Sequence, residues 1–399
     1  MHFSRGRAYN TLYYIRQRYI EVYMIYLDNS ATSRYHHKCV LRAYLEGVTL
    51  ASNPGRSAHK DSLYMLEKVE KVRDSVRRLV HADYNVVFTK NCTEALNLAI
   101  LGTLKSGDHV VTTSYEHNSV LRPLYHLENQ GVISLTVVSP DSDGYIQPYR
   151  IQDTLRPNTS LVVCNHLSNV TGMICDIEKI GKICAREGVR FLVDGAQSVG
   201  HMDIDMISSN IDMLACPSHK GLGGVMGSGF LVFNDRSIPS PITYGGTGTE
   251  SDSIYQPFSP PSSMESGTLN LPGILALGEA IRTNMLDRAN IVSRIMDMTA
   301  YLISRLSSID EVTVYTKPSS IYGVVSFNIG DMDSGEVADL LSSRYNIAVR
   351  AGIHCAPLCH KYLGTLDRGT VRASIGANNT LLDIRRLCRA VYKIAKSRR

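Results

Sequence analysis

From residue 86 the chain alternates short β-branched apolar runs with amphipathic stretches, and this alternation limits the folds available to it more than any other feature. Strands are expected at Val86–Thr89, His109–Ser114, Ser134–Ser139, Ser160–Ser168 and Arg190–Asp194. Helices are expected between them at Thr93–Leu104, Ser119–Gln130 and Asp176–Glu187. Strands that read as unbroken apolar runs, separated by helices, belong to a mainly parallel sheet covered on both faces. Met213–Cys216 and Gly229–Phe233 flank a glycine-rich loop and would extend that sheet. Residues 235–273 read as loop. A long helix over Pro272–Arg305, broken near Asn284, would then lead to a different texture. There, strands at Val312–Tyr315 and Val324–Ile329, a helix at Gly335–Tyr345 and a last helix from Leu381 predict a smaller α+β domain.

Composition excludes several classes. Apolar residues make up 44% and charged residues 20% of the 399, which suits a globular chain. No run of about 18 apolar residues could cross a bilayer, so no membrane role is expected. The net charge of +5 is carried by the ends, with +3 on residues 1–24 and +6 on residues 383–399, leaving −4 on the body. Without zinc-finger spacing or an aromatic RNA-binding box, that distribution gives no case for nucleic acid. Nine scattered cysteines, an odd number, predict reduced thiols and a cytoplasmic setting rather than a disulfide framework, and none has metal-ligand spacing. Residues 1–23, rich in Tyr and Arg, read as an extension upstream of MIYLDNSATS.

In parallel sheets ligands bind beyond the carboxyl ends of the strands. The residues there are Asn91-Cys92-Thr93-Glu94, Glu116-His117-Asn118, His166 to Asn169, Asp194 to Gln197 and Ser218-His219-Lys220. Neither GxGxxG nor GxxxxGK[ST] opens a helix, which disfavours a dinucleotide or P-loop enzyme. Thr93 begins a helix, where free N–H groups favour a phosphate. Asp194 ends a buried strand and could hold a cationic ring nitrogen. Lys220 lies in an apolar, glycine-flanked segment, where desolvation would lower its pKa and equip it to form a Schiff base. Each residue alone has a plain alternative as helix cap, turn carboxylate or surface lysine. In this order they suit pyridoxal phosphate.

Nine segments then resemble, in order, those of class V, fold-type-I pyridoxal-phosphate enzymes, and among them the cysteine desulfurases of the NifS/SufS kind. They are YLDNSATS, FTKNCTEALN, EHNS, HLSNVTG, VDGAQSVGH, PSHKGLGG, ESGTLN, VRAGIHCAPL and TVRASIG, spread from residue 24 to about 395. The resemblance implies an α/β fold with a segment 24–40 packing on the small domain, a large cofactor-binding domain over 41–281 and a small domain over 282–399. It implies that Lys220 is the Schiff-base lysine, that Asp194 meets the pyridine nitrogen, and that His117 stacks on the ring. Gln197 and Asn169 would surround the phenolic oxygen, with Cys92, Thr93 and His219 at the phosphate. Pro217 stands where relatives often carry Ser or Thr, so Ser218 is expected to supply the hydroxyl instead. Thr268 would reach the phosphate of a neighbouring subunit, implying a homodimer.

The resemblance further implies that Cys355 takes sulfur from L-cysteine as a persulfide, leaving L-alanine. Asn169, Arg350 and Arg372 would bind the substrate, and adjacent His354 with Arg350 would favour the Cys355 thiolate. A sulfur-acceptor protein of the SufE or SufU type, serving iron–sulfur or related sulfur assembly, would receive the sulfur. A selenocysteine lyase, a cysteine lyase, another class V aminotransferase-fold enzyme or an inactive scaffold would be the alternatives.

Overall fold

The computed structural model describes residues 24–50, 52–54 and 59–397; the expectation for residues 1–23 falls outside them. A short strand β1 (Ile25–Tyr26) and two helices, α1 (Lys38–Thr49) and α2 (Lys60–Leu79), precede the alternation. Next come β2 (Asn85–Thr89), α3 (Cys92–Thr103), β3 (Asp108–Thr113), α4 (Asn118–Asn129), β4 (Ile133–Val138) and α5 (Pro148–Asp153). After these follow β5 (Thr159–Asn165), α6 (Ile177–Arg186), β6 (Arg190–Asp194), β7 (Met213–Pro217) and β8 (Gly229–Phe233). The seven strands form one sheet in the order β2-β8-β7-β6-β5-β3-β4, in which β8 alone runs antiparallel to its neighbours.

The pleat sorts these strands onto two faces. Leu161, Val163, Leu192 and Met213 pack with Leu96, Ile100, Val120 and Leu124 of α3 and α4. Val162, Cys164, Val193 and Leu214 point the other way, against Val69 and Val76 of α2 and Ile180 of α6. Both faces are therefore covered, as the unbroken apolar runs require. β5 stops three residues short of the expected end, because Ser168 N–H turns back to the Met173 carbonyl at 2.9 Å.

Helix α7 (Leu271–Ser307) joins this layered body to a second core. Its Ile274, Leu275 and Ile281 belong to the first core, and its Ile295, Leu302 and Leu306 to the second. The helix runs without the break expected near Asn284. That side chain is buried, and its Nδ2 donates to the Gly200 carbonyl at 2.9 Å, so its polarity is met sideways by a neighbouring loop. The second core gathers β9 (Val312–Val314), β10 (Val324–Ile329), α8 (Ser334–Tyr345), β11 (Ile347–Ala348), β12 (Arg350–Gly352), β13 (Thr370–Ser374) and α10 (Leu381–Lys396), whereas α9 (Pro357–Leu363), between β12 and β13, buries Cys359 in the first core. Its four-stranded antiparallel sheet has the order β12-β13-β10-β9, while β1 pairs in parallel with β11. Among the described residues no helix is long and apolar enough to cross a membrane.

Candidate active site

Strands β2, β3, β5, β6 and β7 point the same way, so the segments that follow them meet at one edge of the sheet. There they close, together with Arg350, Cys355 and Arg372 from the second sheet, around a cavity of about 260 Å³. Cys92, Thr93, His117, Asn169, Asp194, Gln197, His219 and Lys220 all line it.

At the start of α3, Asn91 Oδ1 accepts the Glu94 N–H at 2.9 Å. This cap leaves the Cys92 and Thr93 amides without an intrahelical partner, and an anion suits that position. His117 caps α4 by accepting the Ser119 N–H on Nδ1 at 3.0 Å. Burial, reinforced by Lys220, Arg350, Arg122 and Arg372, pushes its pKa down to about 4, so the imidazole is neutral. Asp194 ends β6 fully buried, with Oδ1 accepting from the Ala196 N–H at 2.9 Å. Burial raises its pKa, and the Ala196 N–H and Lys220 work against that rise.

Lys220 is half-buried behind a turn in which two segments nearly touch. A Cβ on Gly221 would fall 2.4 Å from the Val199 carbonyl, and Gly200 opposite holds a φ of +93°. Only glycines permit that approach. Desolvation lowers the Lys220 pKa, with Asp194 acting in the opposite direction. Gln197 Nε2 donates to the Ser30 carbonyl at 3.0 Å, and His219 Nδ1 lies 3.0 Å from Thr32 Oγ1, fixing both to the chain that leaves β1.

The opposite wall is a turn between β12 and α9. His354 and Cys355 both adopt left-handed backbone, with φ of 50° and 58°. Two consecutive non-glycine residues there store strain of order 1–3 kcal/mol each. The turn is held by Asn118 N–H, which donates to the Cys355 carbonyl at 2.7 Å, and by Asn169 Nδ2, which donates to the His354 carbonyl at 2.8 Å. Arg372 lies fully buried on β13, donating Nη2 to Asp28 Oδ1 at 2.8 Å and Nη1 to the Asn169 carbonyl at 3.1 Å. Its Nε and Asn169 Oδ1 are buried without partners among the described residues, so the cavity has hydrogen-bonding capacity left for a ligand.

Two expectations change, those for Ser218 and His354. Ser218 does not line the cavity; it is fully buried, and a Cβ on Gly224 would fall 2.0 Å from its Oγ. Pro217 lines the cavity as the last residue of β7, and Ser218 opens the turn that follows, donating its N–H to the Ser228 carbonyl at 3.0 Å and accepting the Gly224 N–H at 2.9 Å. His354 cannot support a thiolate as an imidazolium. Its Nε2 is turned to the Thr370 carbonyl at 3.0 Å, and burial together with Arg372 pushes its pKa down to about 2. Thr268 is exposed and lines no part of this chain's own cavity.

Sequence reasoning missed Asp28 and Glu265, and gave Asn118 no role beyond its place at a strand end. Asp28 sits within YLDNSATS and is separated by most of the chain from the Arg372 it pairs with. Glu265, the first residue of ESGTLN, forms a two-pronged ion pair with buried Arg73, at 2.8 and 2.5 Å, and accepts the Phe88 N–H at 2.6 Å. It thereby anchors the loop that carries Thr268. A lone acidic residue inside a recognised segment was the available signal.

A lysine beside a carboxylate, a neutral histidine and a free helix N-terminus are the groups pyridoxal phosphate needs, and the residues present fit it. Comparison with known proteins agrees. The aminotransferase class-V family matches residues 25–387. A probable cysteine desulfurase of Methanothermobacter thermautotrophicus is 37% identical over 383 residues, covering 93% of this chain and 94% of that one. A second, from Pyrococcus abyssi, is 33% identical, covering 94% and 95%. The apo structure of a cysteine desulfurase from Thermococcus onnurineus superposes with a TM-score of 0.88 at 33% identity, over 94% of this chain and 95% of that one. Matched along nearly its whole length by that family and by relatives above 30% identity, the chain belongs to the class-V aminotransferases and, among them, to the cysteine desulfurases.

Proposed function

We propose that the protein uses pyridoxal phosphate, held by Lys220, Asp194, His117, Gln197 and the first turn of α3, to remove sulfur from L-cysteine. The products are L-alanine and a persulfide on Cys355. The observation that carries this reading is that Cys355 lines the same cavity as Lys220, Asp194 and Arg372. Bound cofactor would supply the electron sink for the bonds broken at the substrate. Arg372, with Nε free, would hold the substrate carboxylate, and Arg350 lines the same end. Lys220 would take the proton from the substrate Cα and return a proton to the carbon framework. The Cys355 thiolate would attack the substrate sulfur. The Cys355–S bond forms, the Cβ–S bond breaks, and its electron pair stays on Cβ, which is protonated to give alanine. A thiol of an acceptor protein would then attack the outer sulfur and release the Cys355 thiolate.

The same reading makes the protein a cytoplasmic homodimer in which Thr268 meets the other subunit's phosphate. What supports pairing is a loop before α7 whose Ile254 and Phe258 are each 92% exposed, with Tyr244 and Tyr255 also open. The decisive experiment incubates purified protein with pyridoxal phosphate and L-cysteine under reducing conditions and measures alanine and sulfide. Equal molar release of both is expected. Pyruvate in place of alanine would assign a lyase, and neither product would set the reading aside. Light scattering of the Phe258→Glu variant tests the dimer, which should dissociate.

A further inference from the structure

Glu116 directly precedes His117 and is wholly buried, yet the reaction above gives it no task. Its Oε1 accepts from Thr113 Oγ1 at 2.6 Å and from the Asn165 backbone N–H at 3.0 Å. Asn165 also donates Nδ2 to the Tyr115 carbonyl at 2.5 Å and stands opposite Asp194 in the β5–β6 ladder. One carboxyl thus ties the turn after β3 to the end of β5. It does so one residue from His117 and one ladder partner away from Asp194.

The second oxygen, Oε2, is buried and has no hydrogen-bond partner among the described residues. An ionised carboxylate with one bare oxygen in a sealed interior is costly unless a cation faces it. None does. The charged group acting on Glu116 is Asp194 on β6, which has the same sign, and the other titratable group that responds to it is the Cys164 thiol on β5. Burial first, then Asp194, lift the Glu116 pKa to about 8 against the pull of its two hydrogen bonds. Each carboxyl accepts a backbone N–H, but Asp194 has what Glu116 lacks, the opposing charge of Lys220. Two neighbouring carboxyls whose surroundings differ in this way take different protonation states.

We propose that Glu116 is a positioning residue that works as a neutral carboxylic acid: it braces the turn presenting His117 and leaves Asp194 the single anion available to the cofactor's ring nitrogen. The second half rests on the reading of the cavity as a pyridoxal-phosphate site; the first half does not. An ionised Glu116 would repel the Asp194 charge and weaken its hold on a protonated ring. The neutral acid keeps the hydrogen bonds without that repulsion.

The test compares Glu116→Gln, which is neutral and keeps an acceptor oxygen, with Glu116→Ala, which removes the brace. Two readouts serve, thermal melting of the cofactor-free protein from pH 5 to 9 and equilibrium binding of pyridoxal phosphate at pH 7. A folded-state pKa raised above the ordinary carboxyl value gives stability that is complete below that ordinary value and lost as pH rises to about 8. The wild type should therefore lose melting temperature relative to Glu116→Gln across that window. At pH 7 Glu116→Gln should bind cofactor within about threefold of wild type, and Glu116→Ala at least about tenfold more weakly. Should Glu116→Ala fail to fold, Thr113→Val, which deletes one of the two hydrogen bonds, should show an intermediate loss. Glu116→Gln falling as far as Glu116→Ala would mean that the charge is needed and would overturn the neutral acid. Glu116→Ala binding as wild type would overturn the brace. If no form binds cofactor, wild type included, the site assignment fails while the melting curves still decide the protonation state.

Discussion

Lys220, Asp194 and His117 reach the cavity from the ends of parallel strands buried on both faces, whereas Cys355 reaches it from a two-residue left-handed turn. The first wall is fixed by the ladder itself and by the two cores behind it. The second is held by two hydrogen bonds from the first wall, donated by Asn118 and Asn169, and by the contact of His354 with Thr370 on its own sheet. Groups that must hold one orientation toward a cofactor gain from the stiffer setting. In the proposed reaction a sulfur that must attack and later be attacked would gain from a turn that can open without unfolding a sheet. On this view the strain at His354 and Cys355 is offset by contacts from across the cavity, so the turn depends on the wall it faces.

The contrast can be broken most severely at Lys220. Lys220→Ala should abolish the visible cofactor band and cut alanine formation by roughly 10⁴-fold, because both base and covalent anchor are gone. Cys355→Ala should fall less, by about 10² to 10³-fold in alanine release, and should keep the band. Its persulfide, followed by mass spectrometry after adding L-cysteine, should be absent. Cys359→Ala should retain turnover and lose about 1–2 kcal/mol in a denaturant titration, since Cys359 is fully buried and acts as core. If Cys359→Ala rather than Cys355→Ala lost the persulfide, the second wall would have been read from the wrong residue.

A smaller effect tests how the walls are joined. Asn169→Ala frees the His354 carbonyl and should lower turnover about tenfold while making Cys355 alkylate faster with iodoacetamide. Unchanged alkylation would show that the turn holds its shape unaided.

The mildest prediction concerns pH. His117, His166 and His219 on the first wall, and His360 behind the second, have pKa values pushed by burial down to about 4. A depressed folded-state value means that their stability contribution is present above the ordinary value near 6.5 and is lost as pH falls toward 4. The cofactor-free protein should melt at a lower temperature at pH 5 than at pH 7.5. A flat profile would mean that these imidazoles charge freely without unfolding the protein.

The parallel body was legible because its strands carry apolar residues on both faces and its helices are amphipathic; Arg190–Asp194 and Gly229–Phe233 fall where the sequence puts them. The two helices before β2, the short strands β11 to β13 and α9 were not legible. Arg350–Gly352 and Ile347–Ala348 hold too few residues to show a period, and they are strands because β13 pairs beside the first and β1 beside the second. The unbroken α7 was hidden too, since Asn284 looks like a breaker until the Gly200 carbonyl stands next to it.

Sequence alone determined the class of sheet and the segments at its strand ends, since residue type and order carry that information, while resemblance to a family singled out Lys220, Asp194, His117, Cys355 and Arg372, which line one cavity. Tertiary structure decided what those residues experience. Burial keeps His354 neutral beside Thr370, the turn after β7 withdraws Ser218 toward Gly224, and Asp28 closes on Arg372 from the other end of the chain. Protonation, partner and direction depend on which groups stand within a few ångströms, and separation along the chain does not encode that distance.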